Sequence, residues 1–535
     1  MPTLDWIGKQ AVVNHHHTVP FRLLKDVPDL SVGDPGSGNL IVQGDNLLAL
    51  KALLPYYAGQ VKCIYIDPPY NTGNEGWVYN DNVNSPQINQ WLGKAVGKEA
   101  EDLSRHDKWL CMMYPRLALL RQFLAEDGAI FVSLDDNEVS ALRYVMDEIF
   151  GELNFVTTII WEKNYAPKAS AKHLSENHDY IVLYAKNKTR WQRNLIPRSE
   201  KQDKAYKNPD NDPRGLWRPN NLAARNPYSL GIYSITCPSG RVVSGPPKGS
   251  YWRVSKAKFE EMDRDGRIWW GKDGNNIPAP KIFLSEVKQG VVPMTIWTYE
   301  DAGHTQDAKK ELLDILPQAG EVFSTPKPSR LVSRIIRLST GPTDLILDSF
   351  AGSGTTGHAV LQLNKQDGGN RRFLLVEMEP TIARDITAER VKRVSQGYTN
   401  AKSEAVAGLG GGFRFCELGE PLFDERGHIR ESVRFADLAR HVYFTETGEP
   451  LPRERVTKDP QIGIFRGTAI YLLFNGVLDD RAPNSGNILT RAILSKLPPH
   501  DGPKVIYGAG CLLGAERLRA ERITFRQTPY EVKVS

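Results

Sequence analysis

The chain has 535 residues, 40% of them apolar and 24% charged, with 68 Lys and Arg against 63 Asp and Glu for a net charge of +5. This is an ordinary globular composition, which excludes an intrinsically disordered chain and a histone-like polycation but leaves nucleic acid open as a partner. At about 150 residues per domain, the length suggests roughly three or four domain-sized units.

Five scattered cysteines without a CxxC pair argue against a disulfide framework or a zinc ribbon and suit a reducing cytosol. No apolar run approaches the ~18 residues of a membrane span, and the N-terminus MPTLDWIGKQ carries no basic-then-apolar signal pattern. A cytoplasmic protein without a membrane segment is therefore expected. His15–His17 read as structural or surface histidines, since three adjacent residues cannot share one helical face.

From the N-terminus, NLIVQGD (39–45) and VKCIYIDPPY (61–70) read as buried strands ending at polar turns, with a helical stretch between them. WLCMMYPRLALLRQFLAEDG (109–128) reads as a helix closing at Gly128, AIFVSLDD (129–136) as a buried strand, and NEVSALRYVMDEIFG (137–151) as a helix closed by Gly151. FVTTIIW and YIVLYAK are further strands, completing a unit over residues 1–190. Residues 191–300 change character, holding 11 of the 35 prolines, 6 of the 11 tryptophans, and 18 Lys and Arg against 11 Asp and Glu. That stretch is +7 and the remainder of the chain −2, so the basic character is local. Alternating helices and strands return over 301–405, with DLILD (344–348) and RRFLLVE (371–377) as strands and TIARDITAERVKRV as a helix. GLGGG (408–412) reads as a hinge to a C-terminal domain over 413–535.

Two places carry chemistry. Asp67-Pro68-Pro69-Tyr70 ends a buried strand, where ligands bind in open α/β sheets. Two prolines stiffen the turn and remove two backbone donors, leaving carbonyls to face a ligand's donors. A carboxylate, a rigid carbonyl and the flat Tyr70 ring suit a planar ring bearing an NH2 group. The second place is Asp348-Ser349-Phe350-Ala351-Gly352-Ser353-Gly354-Thr355-Thr356-Gly357, between a strand and a helix. Gly352, Gly354 and Gly357 fit GxGxxG, and Glu377, closing the next strand, fits an acid that grips ribose hydroxyls. A nucleoside-bearing cofactor is favoured over a glycine turn made for packing alone, with nicotinamide dinucleotide and S-adenosylmethionine both open on this reading. GxxxxGK[ST] is absent, so nothing suggests an NTPase.

Asp-Pro-Pro-Tyr followed, after an insert, by Phe-x-Gly-x-Gly resembles the β-class amino-group DNA methyltransferases that use S-adenosylmethionine. GDNLLALKALLPYYAGQVKCIYIDPPYNTGNEGWVYND, WLCMMYPRLALL, DGAIFVSLDD, NFVTTIIWEK and HDYIVLYAK resemble the modification subunits of type III restriction–modification systems, over about residues 35–400. The resemblance implies a circularly permuted, Rossmann-like class I methyltransferase fold with an inserted target-recognition domain. It implies that Asp67 and the Pro68 carbonyl accept hydrogen bonds from a target amino group and that Tyr70 stacks on the flipped base, with Pro69 completing the turn. Phe350, Ala351, Gly352, Ser353, Gly354 and Thr355 line the cofactor pocket, Asp348 lies near the methionine end, Glu377 binds ribose and Asp45 contacts the adenine of the cofactor. Lys327, in Thr325-Pro-Lys-Pro328, lies near the cofactor carboxylate. Ser349 departs from the usual proline. Aspartate at the first tetrapeptide position goes with adenine N6 in this family, with cytosine N4 as the alternative.

No covalent intermediate is needed for such a transfer, which fits a catalytic site without cysteine. Arg214, Arg218, Arg225, Arg241, Lys248, Arg253, Lys256 and Lys258 are candidates for DNA phosphate contact in the insert. Its clustered tryptophans, Trp217, Trp252, Trp269 and Trp270, read as a small core ahead of base-stacking platforms. Double-stranded DNA, a restriction partner supplying helicase and nuclease, and a second copy of the chain are the expected partners. Two competing readings are a nicotinamide-dependent oxidoreductase, which leaves Asp-Pro-Pro-Tyr and the basic insert unexplained, and a DNA-binding module with a dead site.

Overall fold

The computed structural model describes residues 3–72, 93, 104–198, 203–287, 290–321, 323, 325–426, 428–452, 459–476 and 485–528. It divides into two compact units, residues 195–293 and the remainder. In the larger unit, ten strands form one sheet: β1 (Arg22–Asp26), β2 (Leu40–Gln43), β3 (Val61–Ile66), β4 (Leu124–Leu134), β5 (Phe155–Glu162), β6 (His178–Ala185), β7 (Ile296–Trp297), β8 (Leu345–Asp348), β9 (Arg372–Glu377) and β10 (Arg414–Pro421). Their spatial order is β1-β10-β2-β9-β8-β3-β4-β6-β5-β7. From β10 to β4 every neighbouring pair is parallel; β1 and β6 run against their neighbours.

The central strands are apolar on both faces because both faces are covered. Alternate side chains feed two cores: Ile64, Ile66, Leu345 and Leu347 enter one, Cys63, Tyr65 and Ile346 the other. Three helices, α1 (Asn46–Tyr57), α2 (Arg105–Phe123) and α3 (Val139–Phe150), contribute to the first core. Another three, α4 (Ser329–Ser339), α5 (Thr355–Asp367) and α6 (Glu389–Gln396), contribute to the second. This is the Rossmann-like methyltransferase architecture expected from the sequence. Early strands β2 and β3 flank late strands β9 and β8, so chain segments nearly 300 residues apart share one sheet. The expected pairing of 61–66 with 344–348 is present, with Leu347 opposite Ile64.

Several boundaries differ from the sequence expectation. The helix expected to close at Gly128 ends at Phe123, and β4 begins immediately. Gly128 lies within that strand, where an added Cβ would stand 2.7 Å from the Val61 carbonyl oxygen. Close backbone approach is thus the reason for that glycine. Gly410 and Gly411 have φ of +83° and +85°, and a Cβ on Gly412 would meet the Val32 carbonyl at 2.3 Å. They turn the chain tightly into β10, a strand of the central sheet, so residues 414–421 belong to that sheet and the glycines are not an interdomain hinge. Beyond β10, the helix Phe435–Thr447 and a four-stranded sheet form two smaller cores, one of which includes Phe21 beside β1.

The smaller unit is narrower than the insert expected over 191–300. Trp297 is fully buried in β7, and Trp191 donates from Nε1 to Ser339 Oγ at 3.2 Å, so two of the six tryptophans belong to the larger unit. Within 195–293, Trp252 packs with Leu222, Ile235, Phe259 and Ile268, and Trp217 lies 5.2 Å from Trp269 between ring centroids. Trp217 and Trp252 are buried, which fits the small-core reading of these tryptophans. No described helix is long and apolar enough to cross a membrane.

Candidate functional site

Parallel strands β2, β3, β8 and β9 end at one edge of the sheet, and their ends carry the sequence-predicted groups. β3 delivers Asp67-Pro-Pro-Tyr, β8 ends in Asp348 and β9 in Glu377. A cavity of about 510 Å3 lies over this edge. Asp67, Pro68, Pro69, Tyr70, Lys327, Asp348, Phe350, Ala351, Gly352, Ser353, Thr355 and Glu377 all line it. Gly354 and Asp45, also expected on the cofactor side, are not among the lining residues.

The Asp67–Tyr70 turn is held at its far end. The Trp109 Nε1–H donates to the Pro69 carbonyl at 2.7 Å, which anchors the turn to α2. Tyr70 donates its hydroxyl to Asp179 Oδ2 at 3.3 Å, and Lys163 Nζ lies 2.6 Å from Asp179 Oδ1. Burial pushes the Tyr70 phenol well up, so it stays a neutral donor. Asn71 follows at φ +58°, a left-handed position for a residue other than glycine. Its side-chain amide donates to the buried Glu138 at 2.5 Å, and the same Glu138 oxygen lies 2.7 Å from His106 Nδ1. Such a conformation persists only where surroundings over-determine it.

The glycine loop is fixed from below. Gly352 and Gly354 have φ of +49° and +74°, and a Cβ on Gly357 would press on Val391 at 2.9 Å. Glu377 accepts the Gly352 N–H through Oε2 at 2.8 Å and the Glu379 N–H through Oε1 at 3.0 Å. The helix expected over TIARDITAERVKRV starts as a π-helical segment, Ile382–Ala388. This widened turn lets Thr387 donate to the Gly352 carbonyl at 2.6 Å. One turn on, fully buried Arg390 donates to Thr355 Oγ1 at 2.9 Å and to Ser353 Oγ at 3.1 Å, with Glu311 as its ion-pair partner at 3.2 Å.

Asp348 is pushed up to about 7 by burial, against hydrogen bonds from Thr356 Oγ1 at 2.6 Å and the Phe350 N–H at 3.0 Å. Its folded value lies above the ordinary 3.8, so its stabilisation is complete below about pH 4 and is lost as pH rises through about 7. Compared with Asp348→Asn, the protein should lose stability between pH 4 and pH 8, by at most about 4 kcal/mol. Thermal melting of both proteins across that range checks this, and a difference independent of pH would contradict it.

Two placements differ from the expectations for the cofactor side. Asp45 caps helix α1, accepting the Leu48 N–H at 3.0 Å, and pairs with Arg116 at 2.9 Å. The polar group that α1 presents to the cavity is instead Asn46, which accepts from buried Arg116 Nε and donates to the Ser349 carbonyl at 3.3 Å. Lys327 pairs with Asp67, at 2.6 and 2.5 Å from its two oxygens. Asn46, Arg116, Lys163 and Asp179 line the cavity and were not singled out from sequence; Lys163 directly follows the end of β5 and Asp179 stands at the start of β6, and these strand ends were the available signal.

The smaller unit's basic residues divide in two. Arg214 is bound by Asp212 at 2.9 Å and by Asp265 at 3.1 Å, and this pairing with Arg214 and Lys281 holds the Asp212 carboxyl well below its usual range. Arg218 donates to the Tyr206 hydroxyl at 3.2 Å, Arg241 to the Asn275 carbonyl at 2.9 Å, and Lys258 pairs with Glu261 at 2.7 Å. Arg225, Lys248, Arg253 and Lys256 are exposed and make no ion pair among the described residues.

The profile of a family described as DNA methylase matches residues 61–389. The Mod subunit of the type III restriction-modification enzyme StyLTI of Salmonella typhimurium is 36% identical over 402 residues, covering 72% of this chain and 60% of its own. The EcoP15I Mod subunit of Escherichia coli is 30% identical over 459 residues, covering 74% of this chain and 69% of its own. The type II methyltransferase M.KpnI of Klebsiella pneumoniae is 28% identical over 415 residues, covering 72% and 94%. The match thus spans less than two thirds of the StyLTI subunit's length.

Proposed function

The chain belongs to this DNA methylase family, and from that premise we propose that it transfers a methyl group from S-adenosylmethionine to adenine N6 in double-stranded DNA. The observation that carries the reading is the meeting of Asp67-Pro-Pro-Tyr and the 348–356 loop around one cavity at one sheet edge.

The residues present fit the cofactor. Glu377 is buried at the end of β9 and lines the cavity with a carboxylate suited to ribose hydroxyls, its two oxygens oriented by the Gly352 and Glu379 N–H groups. Phe350 and Met378 supply apolar surface for a nucleoside, and Lys327 a cation for a carboxylate. When bound, S-adenosylmethionine supplies a methyl group already activated on a sulfonium. The chain's part is positioning and electrostatics. The adenine amino lone pair is delocalised into the ring; Asp67 and the Pro68 carbonyl, as acceptors beside the NH2, favour a pyramidal nitrogen whose lone pair can attack. Tyr70, its hydroxyl pinned by Asp179, offers a fixed plate for the ring. A base in a duplex must be extruded to enter such a cavity. Aspartate at position 67 is the form the resemblance associates with adenine, ahead of cytosine N4.

The exposed cations of 195–293 would hold DNA phosphates, and the chain would serve as the modification subunit beside a restriction subunit, as the names of two relatives suggest. Expression in a host lacking its own DNA methylation, followed by single-molecule sequencing, is expected to reveal N6-methyladenine at one short sequence. Methylation at cytosine would transfer the reading to N4, and unmodified DNA in the presence of folded protein would refute it.

A further inference from the structure

The cavity holds an ammonium where the proposed chemistry needs room. Lys327 Nζ stands 2.6 and 2.5 Å from the two oxygens of Asp67 and 4.8 Å from the centroid of the Tyr70 ring. One group therefore engages both the acceptor and the flat face assigned to the target base. The pair is largely withdrawn from water, with 12% and 24% side-chain exposure. Removing one member of such a pair strands the other's charge in a poorly solvated place. A base can reach Asp67 and Tyr70 only when the ammonium moves, and it moves readily only towards another anion.

The backbone of Lys327 shows where that anion would come from. Thr355 Oγ1 donates to the Lys327 carbonyl at 3.2 Å, and Thr355 opens helix α5 directly after the glycine loop. Arg390 grips Thr355 from below. The lysine is thus fastened to the cofactor loop by its main chain and reaches the catalytic turn by its side chain. Of the other cavity cations, Arg116 and Lys163 are held by Asp45 and Asp179, and Lys168 is exposed.

We propose that Lys327 is a positioning residue that couples cofactor binding to entry of the target base. It pairs with Asp67 in this structure and exchanges that carboxylate for the one on the amino-acid end of the cofactor, freeing Asp67 and the Tyr70 face together. The inference rests on the methyltransferase reading above. The ammonium is partnered before and after the exchange, and the target amino group takes its place beside Asp67.

Two inert nucleosides separate this coupling from simple pocket filling: S-adenosylhomocysteine carries the carboxylate, methylthioadenosine lacks the amino-acid end. The readout is affinity for a duplex holding a fluorescent adenine analogue at the mapped target, and the fluorescence rise on its extrusion. In the wild type, S-adenosylhomocysteine should strengthen both by about tenfold or more, and methylthioadenosine by less than about twofold, within the usual range of coupling between sites. Lys327→Gln should bind and extrude well without any nucleoside and respond to neither, while Lys327→Arg, which keeps the cation, should retain the dependence. Equal responses of the wild type to both nucleosides would overturn the proposal without recourse to any variant, as would a surviving response in Lys327→Gln that still binds methylthioadenosine. Failure of the wild type to methylate DNA would instead overturn the reading beneath it.

Discussion

Asp67→Ala is expected to lower methyl transfer to DNA by at least about 10^3-fold, in the range typical of losing a well-placed polar group that acts on the reacting atom. The carboxylate is the one negative acceptor of the Asp67–Tyr70 turn, and the neighbouring Pro69 carbonyl is oriented towards Trp109. The Pro68 carbonyl, the other acceptor assigned to the amino group, is neutral and cannot replace that charge. Folding should survive, since Asp67 lies beyond the end of β3 and contributes nothing to either apolar core. The variant also leaves Lys327 without its carboxylate partner. A cofactor carboxylate no longer competes with Asp67 for that ammonium, so the inactive variant should bind S-adenosylmethionine at least as tightly as the wild type. Calorimetric titration with the cofactor, alongside incorporation of labelled methyl groups into duplex DNA, reads both quantities on one preparation. Methylation unaffected by the substitution would sink the catalytic assignment. Weakened cofactor binding would show that Asp67 and Lys327 do not compete.

The sheet edge was legible in the sequence because the physics of buried parallel strands is local. VKCIYI and LILD are apolar runs that end abruptly in a carboxylate, and ligands of open sheets gather at such ends. The glycine loop was legible because φ values such as those of Gly352 and Gly354 are costly for other residues. What sequence could not supply is partnership at a distance. Lys327 and Asp67 are separated by 260 residues, and nothing in either neighbourhood specifies that one finds the other. Asp45 had a local signal that competed with its expected ligand role: an aspartate directly before a helical run is a preferred N-cap, and the structure uses it so. The glycines of GLGGG failed as a hinge signal because positive φ and close approach produce the same residue choice as flexibility. The ends of the insert were misplaced by a few residues because composition averages over a window, whereas Trp191 and Trp297 are claimed individually by the larger unit.

The net charge of +5 is a sum over unlike parts, and the structure separates them further. The compact unit 195–293 carries 17 Lys and Arg against 10 Asp and Glu, which retains the whole +7 of the wider stretch. Within it, however, charge is not equally disposable. Arg214 and Arg267 are woven among Asp212, Asp265 and Glu286, and Arg267 meets both oxygens of Glu286 at 2.8 Å. Neutralising Arg214 would leave the buried Asp212 short of a partner and weaken the unit itself. Arg225, Lys248, Arg253 and Lys256 are exposed and unengaged by ion pairs among the described residues, so their charge is available to phosphate. Replacing these four with glutamine should leave the melting temperature and cofactor affinity unchanged. It should also reduce the slope of log affinity for duplex DNA against log salt by about 3 to 4, at about 0.9 for each phosphate no longer neutralised. Affinity at moderate salt should fall about a hundredfold or more, uniformly across sequences, because phosphate contacts carry no base information. Fluorescence anisotropy of labelled duplexes over a salt series measures the slope. An unchanged slope in the folded fourfold variant would move DNA binding away from this unit's exposed cations, and a loss confined to the recognised sequence would make them base readers.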